Sequence, residues 1–419
     1  MTIQKKRLVF RPQTAIEYIW ALFVILNGNS VYHASNAHDY HFPVICTFLS
    51  LILWLLVCRN EKTKERKSVL MAIFLIGYFL LYFFIRYETL SKEIYLLGYV
   101  ISLPVMFLYF VAMKSKGKVE LLFWRLEDVI LVLAGLSLII WICGPVLNII
   151  SPNTDMIIAW GRLRNIEGYF GIHYITQYDN TLAAGLARNT SIFCEGPMYG
   201  LWLSIALSTE LFLKEFSSRR KIILLVVTIL TTTSVTAIFA VIVCFALRYL
   251  ISVESIRKKK FVIISFAILA TLPIVFWVAY NIISQKMTTS SYLIRMQDYI
   301  AGILVWKENP VWGSGFGNLN TLQEYVLSGY TTSIGFSNSV TAILGTGGLW
   351  NFSIYLLGIV APMLGRYGRK KKMVAFSLLY CFLTVTTIFF ARYIAVVFIA
   401  FGLANLPMFS VNVGYNKEV

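Results

Sequence analysis

Arginine is the side chain with the clearest chemistry in the polar segments of this sequence. Arg188 and Arg295 lie in two long segments that are too polar for the interior of a lipid bilayer. A guanidinium group can bind a phosphate through two parallel hydrogen bonds, and it keeps its charge at physiological pH. The two arginines therefore predict an anion site, and Arg162 and Arg164 in the motif GRLRN are further candidates for it.

Two other ionisable residues lie close to Arg188 in the sequence. We expect Glu195 about two helical turns after Arg188, inside the start of an apolar span. An ionisable group at that depth pairs with an opposite charge or faces a cavity. Two interpretations stay open: an internal ion pair between Arg188 and Glu195, or an anion site. His173 is an acid–base candidate because an imidazole titrates near neutral pH.

The composition places these residues in a membrane protein. Hydrophobic residues make up 58% of the 419, and charged residues only 14%, against about a quarter in soluble proteins. Apolar runs of roughly 17–25 residues recur along the chain, and each is long enough to cross ~30 Å of hydrocarbon. We therefore predict an all-α fold, a polytopic bundle of transmembrane helices that forms a single integral-membrane domain over residues 1–419.

The charge and the metal-binding residue types exclude other classes of protein. A net charge of +17 would indicate a nucleic-acid partner in a soluble protein. In a membrane protein, basic residues instead mark the cytoplasmic loops, so we expect no nucleic-acid partner. The six cysteines are scattered, without metal or disulfide spacing. His33, His38 and His41 share the first outer loop with Asp39; we interpret them as interfacial polar residues and expect no metal.

The positive-inside rule orients the spans. About twelve spans, two of them short, leave both termini in the cytoplasm and two long loops, 151–190 and 286–337, on the outer face. Basic residues flank segment 222–247 at both ends, and two short helices that turn near 231–234 keep both basic clusters inside. Nine of the 37 Lys and Arg residues then fall in outer segments, among them Arg392. The other predicted spans are 14–31, 43–58, 69–85, 94–113, 129–150, 191–213, 261–285, 338–364, 373–390 and 394–409.

The second long loop contains a predicted helix, a turn and a helix cap. The residues around Arg295, SYLIRMQDYIAGILVW, suit an amphipathic helix that lies at the membrane interface. GSGFG lacks the Lys and Ser/Thr that follow the glycines of a phosphate-binding loop, so we interpret it as a structural bend. Ser337 and Asn338 are predicted to cap the next span, at a helix terminus that favours an anion.

These segments resemble the O-antigen polymerase and ligase superfamily, the Wzy-type proteins. The resemblance rests on the order R…F…(E)P before a span, paired short helices at TTTS, then R…W…P…G.G.GN and SN…L…GG, and it covers residues 188–362. It implies a membrane glycosyltransferase of the GT-C kind, which uses neither a nucleotide sugar nor an essential metal or other cofactor. Such enzymes transfer a glycan from undecaprenyl diphosphate to a sugar acceptor on the outer face of the bacterial inner (cytoplasmic) membrane.

The resemblance also implies roles for residues and partners. Arg188 and Arg295 fall on positions whose arginines engage the lipid diphosphate, whereas Arg162 and Arg164 align with no family motif and stay additional candidates. The implied partners are the lipid-linked oligosaccharide, the growing polysaccharide and the lipid bilayer, with a flippase and a chain-length regulator as candidate protein partners. The glycan itself, O-antigen, capsule or exopolysaccharide, stays open.

One departure from the family pattern separates polymerase from ligase. Ligases carry His-Asn where this chain has Ser337-Asn338, and that histidine is interpreted as their general base. Its absence favours a polymerase of repeat units and leaves the base to be assigned. Because the acceptor hydroxyl must lose a proton as it attacks, Glu195 is the first candidate and His173 the second. The alternatives are an O-antigen-type ligase and a flippase or transporter, although two long outer loops without an internal repeat are atypical of carriers.

Overall fold

The protein is mostly helical, with one small antiparallel sheet. A computed structural model describes residues 12–35, 41–58, 66–160, 162–179, 185–252, 290–326, 336–364 and 370–409. The helices are α1 (Pro12–Asn27), α2 (Val31–Ala34), α3 (His41–Cys58), α4 (Arg66–Ile85), α5 (Lys92–Ser115), α6 (Leu121–Val146), α7 (Gly196–Ser208), α8 (Arg219–Thr231), α9 (Val235–Ser252), α10 (Ser290–Glu308), α11 (Asn320–Gln323), α12 (Ser339–Leu364), α13 (Lys370–Thr386) and α14 (Tyr393–Ala404). The strands are β1 (Thr154–Trp160), β2 (Arg162–Tyr169) and β3 (His173–Tyr174).

Six of the described helices are long and apolar enough to cross a membrane. They are α3, α4, α5, α6, α9 and α12, with lengths of 18–26 residues. The remaining predicted spans that the structure describes are shorter helices, such as α8 with 13 residues and α14 with 12. The predicted span 261–285 lies outside the described residues. The membrane-helix class is therefore confirmed, whereas the number of about twelve spans stays a prediction.

Helix α14 lies at the centre of the bundle, and every one of its residues is buried. It packs on α12 through two glycines: a Cβ added at Gly402 would lie only 2.0 Å from the carbonyl oxygen of Gly358. Small residues allow helix backbones to approach in this way, which is how helices associate in lipid. On α13, Tyr380 stacks on Phe398 of α14, with ring centroids 4.1 Å apart.

The predicted turn in segment 222–247 is confirmed, but only the helix before it is short, since the helix after it has 18 residues. Helix α8 ends at Thr231, and α9 begins at Val235. Thr233 has a φ of 48°, a left-handed conformation that an α-helix cannot continue through. The 13 residues of α8 are ~20 Å long at 1.5 Å per residue. The turn consequently lies one short helix away from the basic residues at the start of α8.

The glycine-rich bend completes a broken helix. Helix α12 is interrupted at Gly348, whose φ is 61°. The N–H groups of Ser314 and Gly315 donate to the carbonyl oxygens of Gly345 and Thr346 at 2.9 and 2.8 Å. The N–H groups after the break are satisfied as well, since Leu349 and Trp350 donate to the carbonyl oxygens of Pro310 and Val311. The bend therefore supplies backbone hydrogen bonds that the interrupted helix lacks, which supports a structural role for GSGFG.

The sheet in the first long loop was not predicted from the sequence. Strands β1 and β2 pair antiparallel, with Ile158 opposite Arg164 and Trp160 opposite Arg162, and β3 pairs with the end of β2. Residues paired across strands share a face of the sheet. Ile158 and Trp160 pack with Val31 of α2 and with Cys194. Arg164 is thus held on the face that meets the segment before α7.

The ends of the helices lie on two opposite faces of the bundle. On one face, Lys114 donates to the carbonyl oxygen of Ala404, Arg248 donates to that of Leu211, and Lys372 donates to that of Lys214. A group of charged side chains on the same face ties α1, α6, α8 and the segment after α7 together: Glu17, Arg125, Glu127, Asp128, Glu210, Lys214 and Lys221. The sheet, the α8–α9 turn and the α13–α14 turn lie on the other face, the outer face of the predicted topology.

Candidate functional site

The start of α7 positions the first group of candidate residues. Glu195 precedes the helix in an extended conformation, with φ −154° and ψ 155°, and Pro197 stands in its first turn. The N–H of Gly196 donates to the side-chain oxygen of Gln177 at 3.2 Å. The prediction that the span begins at residue 191, with Glu195 inside its start, was therefore wrong. A proline ring and a satisfied first N–H start the helix at residue 196 instead.

Arg188 lies between the loop and the α8–α9 turn. Its backbone N–H donates to the carbonyl oxygen of Gln177, and its guanidinium pairs with the buried carboxylate of Asp179 at 3.4 Å. Asp179, rather than Glu195, is thus its ion-pair partner. A charged hydrogen bond is normally 2.7–2.9 Å long, so this ion pair is a long one. The buried Nε of Arg188 has no hydrogen-bond partner in the described structure. The guanidinium group can therefore still donate hydrogen bonds to another group.

The α8–α9 turn packs directly against this segment. Asn189 donates twice to Thr231, from its backbone N–H to the carbonyl oxygen and from its carboxamide to the hydroxyl. A Cβ added at Gly196 would lie 2.7 Å from the carbonyl oxygen of Thr232 and 3.6 Å from Cδ of Arg188. The α7 N-terminus, the Arg188 side chain and the turn therefore meet at one place.

Arg164 approaches the same place from the sheet. It donates to the carbonyl oxygen of Thr176 at 3.0 Å and to that of Cys194 at 3.5 Å. Its Nε is buried and has no hydrogen-bond partner among the described residues. Arg162 is the residue opposite Trp160 in β2, and the structure describes only its backbone. Arg164 and Arg188 thus flank the first residues of α7 from two sides.

Glu195 and Arg392 complete the group. The indole N–H of Trp160 donates to the Glu195 carboxylate at 2.7 Å. Arg392, in the α13–α14 turn, donates to the side-chain oxygen of Asn29 at 2.6 Å and contacts His33. We call Arg164, Arg188 and Arg392 the outer arginine cluster. The sequence placed Arg392 among the outward-facing arginines, but no motif connected it with the other two.

The pKa of the buried Cys194 thiol indicates that these charges lie near one another. Burial and the Glu195 carboxylate raise its pKa to about 12, while the positive charges of Arg164 and Arg392 oppose the rise. A charge shifts a pKa in this way when it lies near the titrating group. The two arginines and Glu195 therefore surround one short segment, residues 194–196.

His173 is placed differently from the other candidates. It is fully buried, and its ring lies 6.2 Å from that of Tyr169. Neither ring nitrogen has a hydrogen-bond partner in the described structure, and burial lowers the pKa of the imidazole to about 4. A neutral, enclosed ring without an orienting partner is poorly suited to shuttle protons. The geometry thus favours a packing role over the predicted acid–base role.

The second group of candidate residues lies where α10 meets α12. The two helices pack closely, since a Cβ added at Gly302 would lie 2.6 Å from Cβ of Thr341. The side-chain oxygen of Asn338 accepts hydrogen bonds from the N–H and hydroxyl of Thr341, both at 2.9 Å, which confirms Asn338 as the predicted cap of this span. No such capping bond is formed by Ser337, whose hydroxyl is buried without a partner among the described residues.

Arg295 and Asp298 face this junction from α10. The Asp298 carboxylate lies beside Ser337 and within the field of the Arg295 charge, and it is 4% exposed. No motif in the sequence assigns a role to Asp298. Its spacing of three residues from Arg295, inside a largely apolar run, was the signal available. We call Arg295, Asp298, Ser337 and Asn338 the α10–α12 junction.

The α13–α14 turn connects the two groups. The hydroxyl of Ser339, at the start of α12, donates to the carbonyl oxygen of Thr387 and accepts from the N–H of Phe389. The next residue along the turn, Ile388, accepts a hydrogen bond from Asn29, whose own carbonyl oxygen accepts from Cys194. The outer arginine cluster and the α10–α12 junction therefore lie on the same face of the bundle and share one connecting segment.

Part of the chain matches the model of a known protein family. Residues 222–356 match the family model described as O-Antigen ligase. The match confirms the resemblance to the O-antigen polymerase and ligase superfamily. It contains the α8–α9 turn and the α10–α12 junction, whereas the sheet and Arg188 precede it. A comparison with curated proteins gives no match. Among the described residues, no group of three or more His, Cys, Asp or Glu side chains could hold a metal ion.

Proposed function

We propose that the protein is a membrane glycosyltransferase that polymerises polysaccharide repeat units carried on undecaprenyl diphosphate, on the outer face of the cytoplasmic membrane. The observation that carries the proposal is the convergence of Arg164 and Arg188 on the first residues of α7, one connecting segment away from Arg295 in the family-matched region. A diphosphate is the anion that such a set of guanidinium groups would bind bidentately.

In the proposed mechanism, the diphosphate of the growing chain lies between Arg188 and Arg295. A hydroxyl of the sugar at the non-reducing end of an incoming repeat unit attacks the anomeric carbon of the growing chain. As the bond from that carbon to the phosphate oxygen breaks, negative charge develops on the leaving diphosphate, and fixed positive charges stabilise it. The N-terminus of α7 adds a partial positive charge at the same place.

A ligase is the second candidate, because the matching family model is described as O-Antigen ligase. A ligase would bind the same lipid-linked donor but transfer the finished polymer to a different acceptor. Ser337, where the ligases carry a histidine, favours the polymerase. The choice depends on the acceptor, not on the donor site.

Purified protein incubated with a lipid-linked repeat unit as the sole substrate tests the proposal. We expect a ladder of products with increasing numbers of repeat units. A product that forms only after a distinct acceptor is added would identify a ligase. Movement of the lipid-linked unit across vesicles, without any new glycosidic bond, would identify a flippase and overturn both glycosyltransferase candidates.

A further inference from the structure

Asp298 is a buried carboxylate on the outer face of the protein, and neither the sequence motifs nor the proposed diphosphate site uses it. It is 4% exposed, although α10 was predicted as an interfacial helix. Burying a carboxylate is costly unless other groups bind it. The side chain and backbone of Ser337 face the carboxylate and stabilise its charge in part, whereas the sequences of α11 and α12 contain no charged residue. On its own helix, the ionisable neighbours are Arg295 and Tyr299.

Three polar atoms at the α10–α12 junction are buried without a hydrogen-bond partner among the described residues. They are Oδ2 of Asp298, Oγ of Ser337 and Nδ2 of Asn338. Almost all buried polar groups in proteins have partners, so each exception requires an explanation. Here two of the atoms belong to consecutive residues just before α12, the third belongs to Asp298 of α10 beside Ser337, and the set includes both an acceptor and donors. A substrate hydroxyl, which is both a donor and an acceptor, would satisfy such a set.

The other two candidates for the base are less suitable. Glu195 already accepts a short hydrogen bond from Trp160 and lies among positive charges. His173 is enclosed and has no partner to orient it. A general base must be able to reach the proton that it removes. Only Asp298 combines an unpartnered carboxylate oxygen with a position next to Arg295.

We propose that Asp298 is the general base that deprotonates the acceptor sugar. This inference rests on the proposed glycosyltransferase function. The acceptor hydroxyl lies against Ser337 and Asn338 and donates to Oδ2 of Asp298. As its oxygen forms the bond to the anomeric carbon, its proton passes to Asp298. The electron pair of the broken carbon–oxygen bond leaves with the undecaprenyl diphosphate, and Asp298 later releases the proton to water.

The ionisation of Asp298 agrees with this role. Burial raises the pKa of the carboxyl from 3.8 to about 6, while Ser337 and the charge of Arg295 oppose the rise. A carboxylate with a pKa near 6 is mostly deprotonated at neutral pH, yet it is more basic than an ordinary aspartate. A base is most effective when its pKa lies close to the working pH.

Initial rates of polymer formation by the purified full-length protein, measured from pH 5 to pH 8, test the inference. In the wild type we expect the rate to rise with pH through about 6. The Asp298→Asn variant should lose ~10²–10⁴-fold in rate and lose this step in the pH profile. Asp298→Glu should restore part of the rate. Binding of the lipid-linked repeat unit should change little in Asp298→Asn, because the arginines that bind the diphosphate are retained.

The Glu195→Gln variant is the matched control, since it also replaces a carboxylate on the outer face with an amide. It should keep the pH step near 6. If Asp298→Asn keeps both the rate and the step, or if Glu195→Gln abolishes the step, the assignment of Asp298 is wrong, while polymerisation by the wild type would still support the proposed function. If the wild type forms no glycosidic bond with any acceptor, the proposed function fails, and the inference fails with it.

Discussion

The side chain of Asn189 donates a hydrogen bond to the hydroxyl of Thr231 at 3.0 Å, and its backbone N–H donates to the carbonyl oxygen of the same threonine at 3.1 Å. These two bonds join the residue after Arg188 to the turn between α8 and α9. They also join the loop that carries Arg164 and Arg188 to the segment that matches the family model, which begins at residue 222. The position of Arg188 consequently depends on a turn more than forty residues away in the sequence.

The first prediction concerns this contact. Thr231→Val removes the hydroxyl that accepts from Asn189 and donates to the carbonyl oxygen of Thr228, so Arg188 should lose part of its support. Each lost hydrogen bond typically costs about 1 kcal/mol. We expect shorter polymers and a lower yield, measured as the ladder of lipid-linked products in membranes of the native host.

Thr233→Val is the control for this experiment. It makes the same substitution in the same turn, but the Thr233 hydroxyl is buried without a partner among the described residues. Losing it should leave both the polymer length and the thermal stability close to wild type. Equal defects in the two variants would contradict a specific role for the Asn189–Thr231 contact.

The second prediction concerns the two arginines of the proposed diphosphate site. Arg188→Ala and Arg295→Ala should each abolish long polymer in the native host and leave single repeat units, because the leaving diphosphate loses charge stabilisation. Arg188→Lys should recover little activity, since an ammonium group cannot form two parallel hydrogen bonds. The measurement is the glycan ladder of each strain, at matched protein levels.

Arg220→Ala provides the comparison for these variants. Arg220 is an exposed arginine at the start of α8, on the opposite face from the cluster, so its loss removes the same charge away from the proposed site. It should leave the ladder unchanged. Normal polymer from both Arg188→Ala and Arg295→Ala would refute the diphosphate site.

The sequence predicted the helices around the site because their signals are periodic or charge-based. The pair α8 and α9 followed from basic residues at both ends of one apolar segment, and the structure confirms the turn at residues 232–234. The cap at Asn338 followed from the residue type alone. Both are local features, which require no knowledge of what packs against them.

The side-chain partners at the site depend on tertiary contacts and could not be predicted in this way. The ion pair of Arg188 with Asp179 joins two residues of an irregular loop, where no periodicity relates their side chains. The sheet was missed because the loop that contains it is polar and was interpreted only as a connection between spans. The burial of Asp298 follows from the close packing of Gly302 on Thr341, whereas amphipathic periodicity places an aspartate in solvent.

The third prediction tests whether His173 is structural. His173→Leu should retain polymerisation, because neither ring nitrogen has a hydrogen-bond partner in the described structure. Burial lowers the pKa of the folded protein's imidazole from 6.5 to about 4, so between these values the unfolded chain binds more protons. The contribution of His173 to stability is therefore complete above pH 6.5 and is lost as the pH falls towards 4. The unfolding temperature in detergent should accordingly depend less on pH in the variant than in the wild type between pH 4 and pH 6.5. A variant that loses activity but keeps its stability would instead support the acid–base role of His173.

The fourth prediction concerns the pH dependence of stability at Asp298, where the pKa shift has the opposite sign from that of His173. Its pKa is raised from 3.8 to about 6 in the folded protein, so between these values the folded state binds more protons than the unfolded chain. The unfolding free energy therefore falls as the pH rises through this window, by roughly 3 kcal/mol at most, at 1.36 kcal/mol for each pKa unit.

Asp298→Asn removes this cost because the amide stays neutral at every pH. The variant should unfold at a higher temperature than the wild type at pH 7, although it loses activity, and the two should converge near pH 4. Such an exchange of stability for activity is typical of strained or desolvated functional groups. A variant that is less stable than the wild type at pH 7 would show that the Asp298 carboxylate is held by stabilising interactions, and it would then be a structural anion rather than a base.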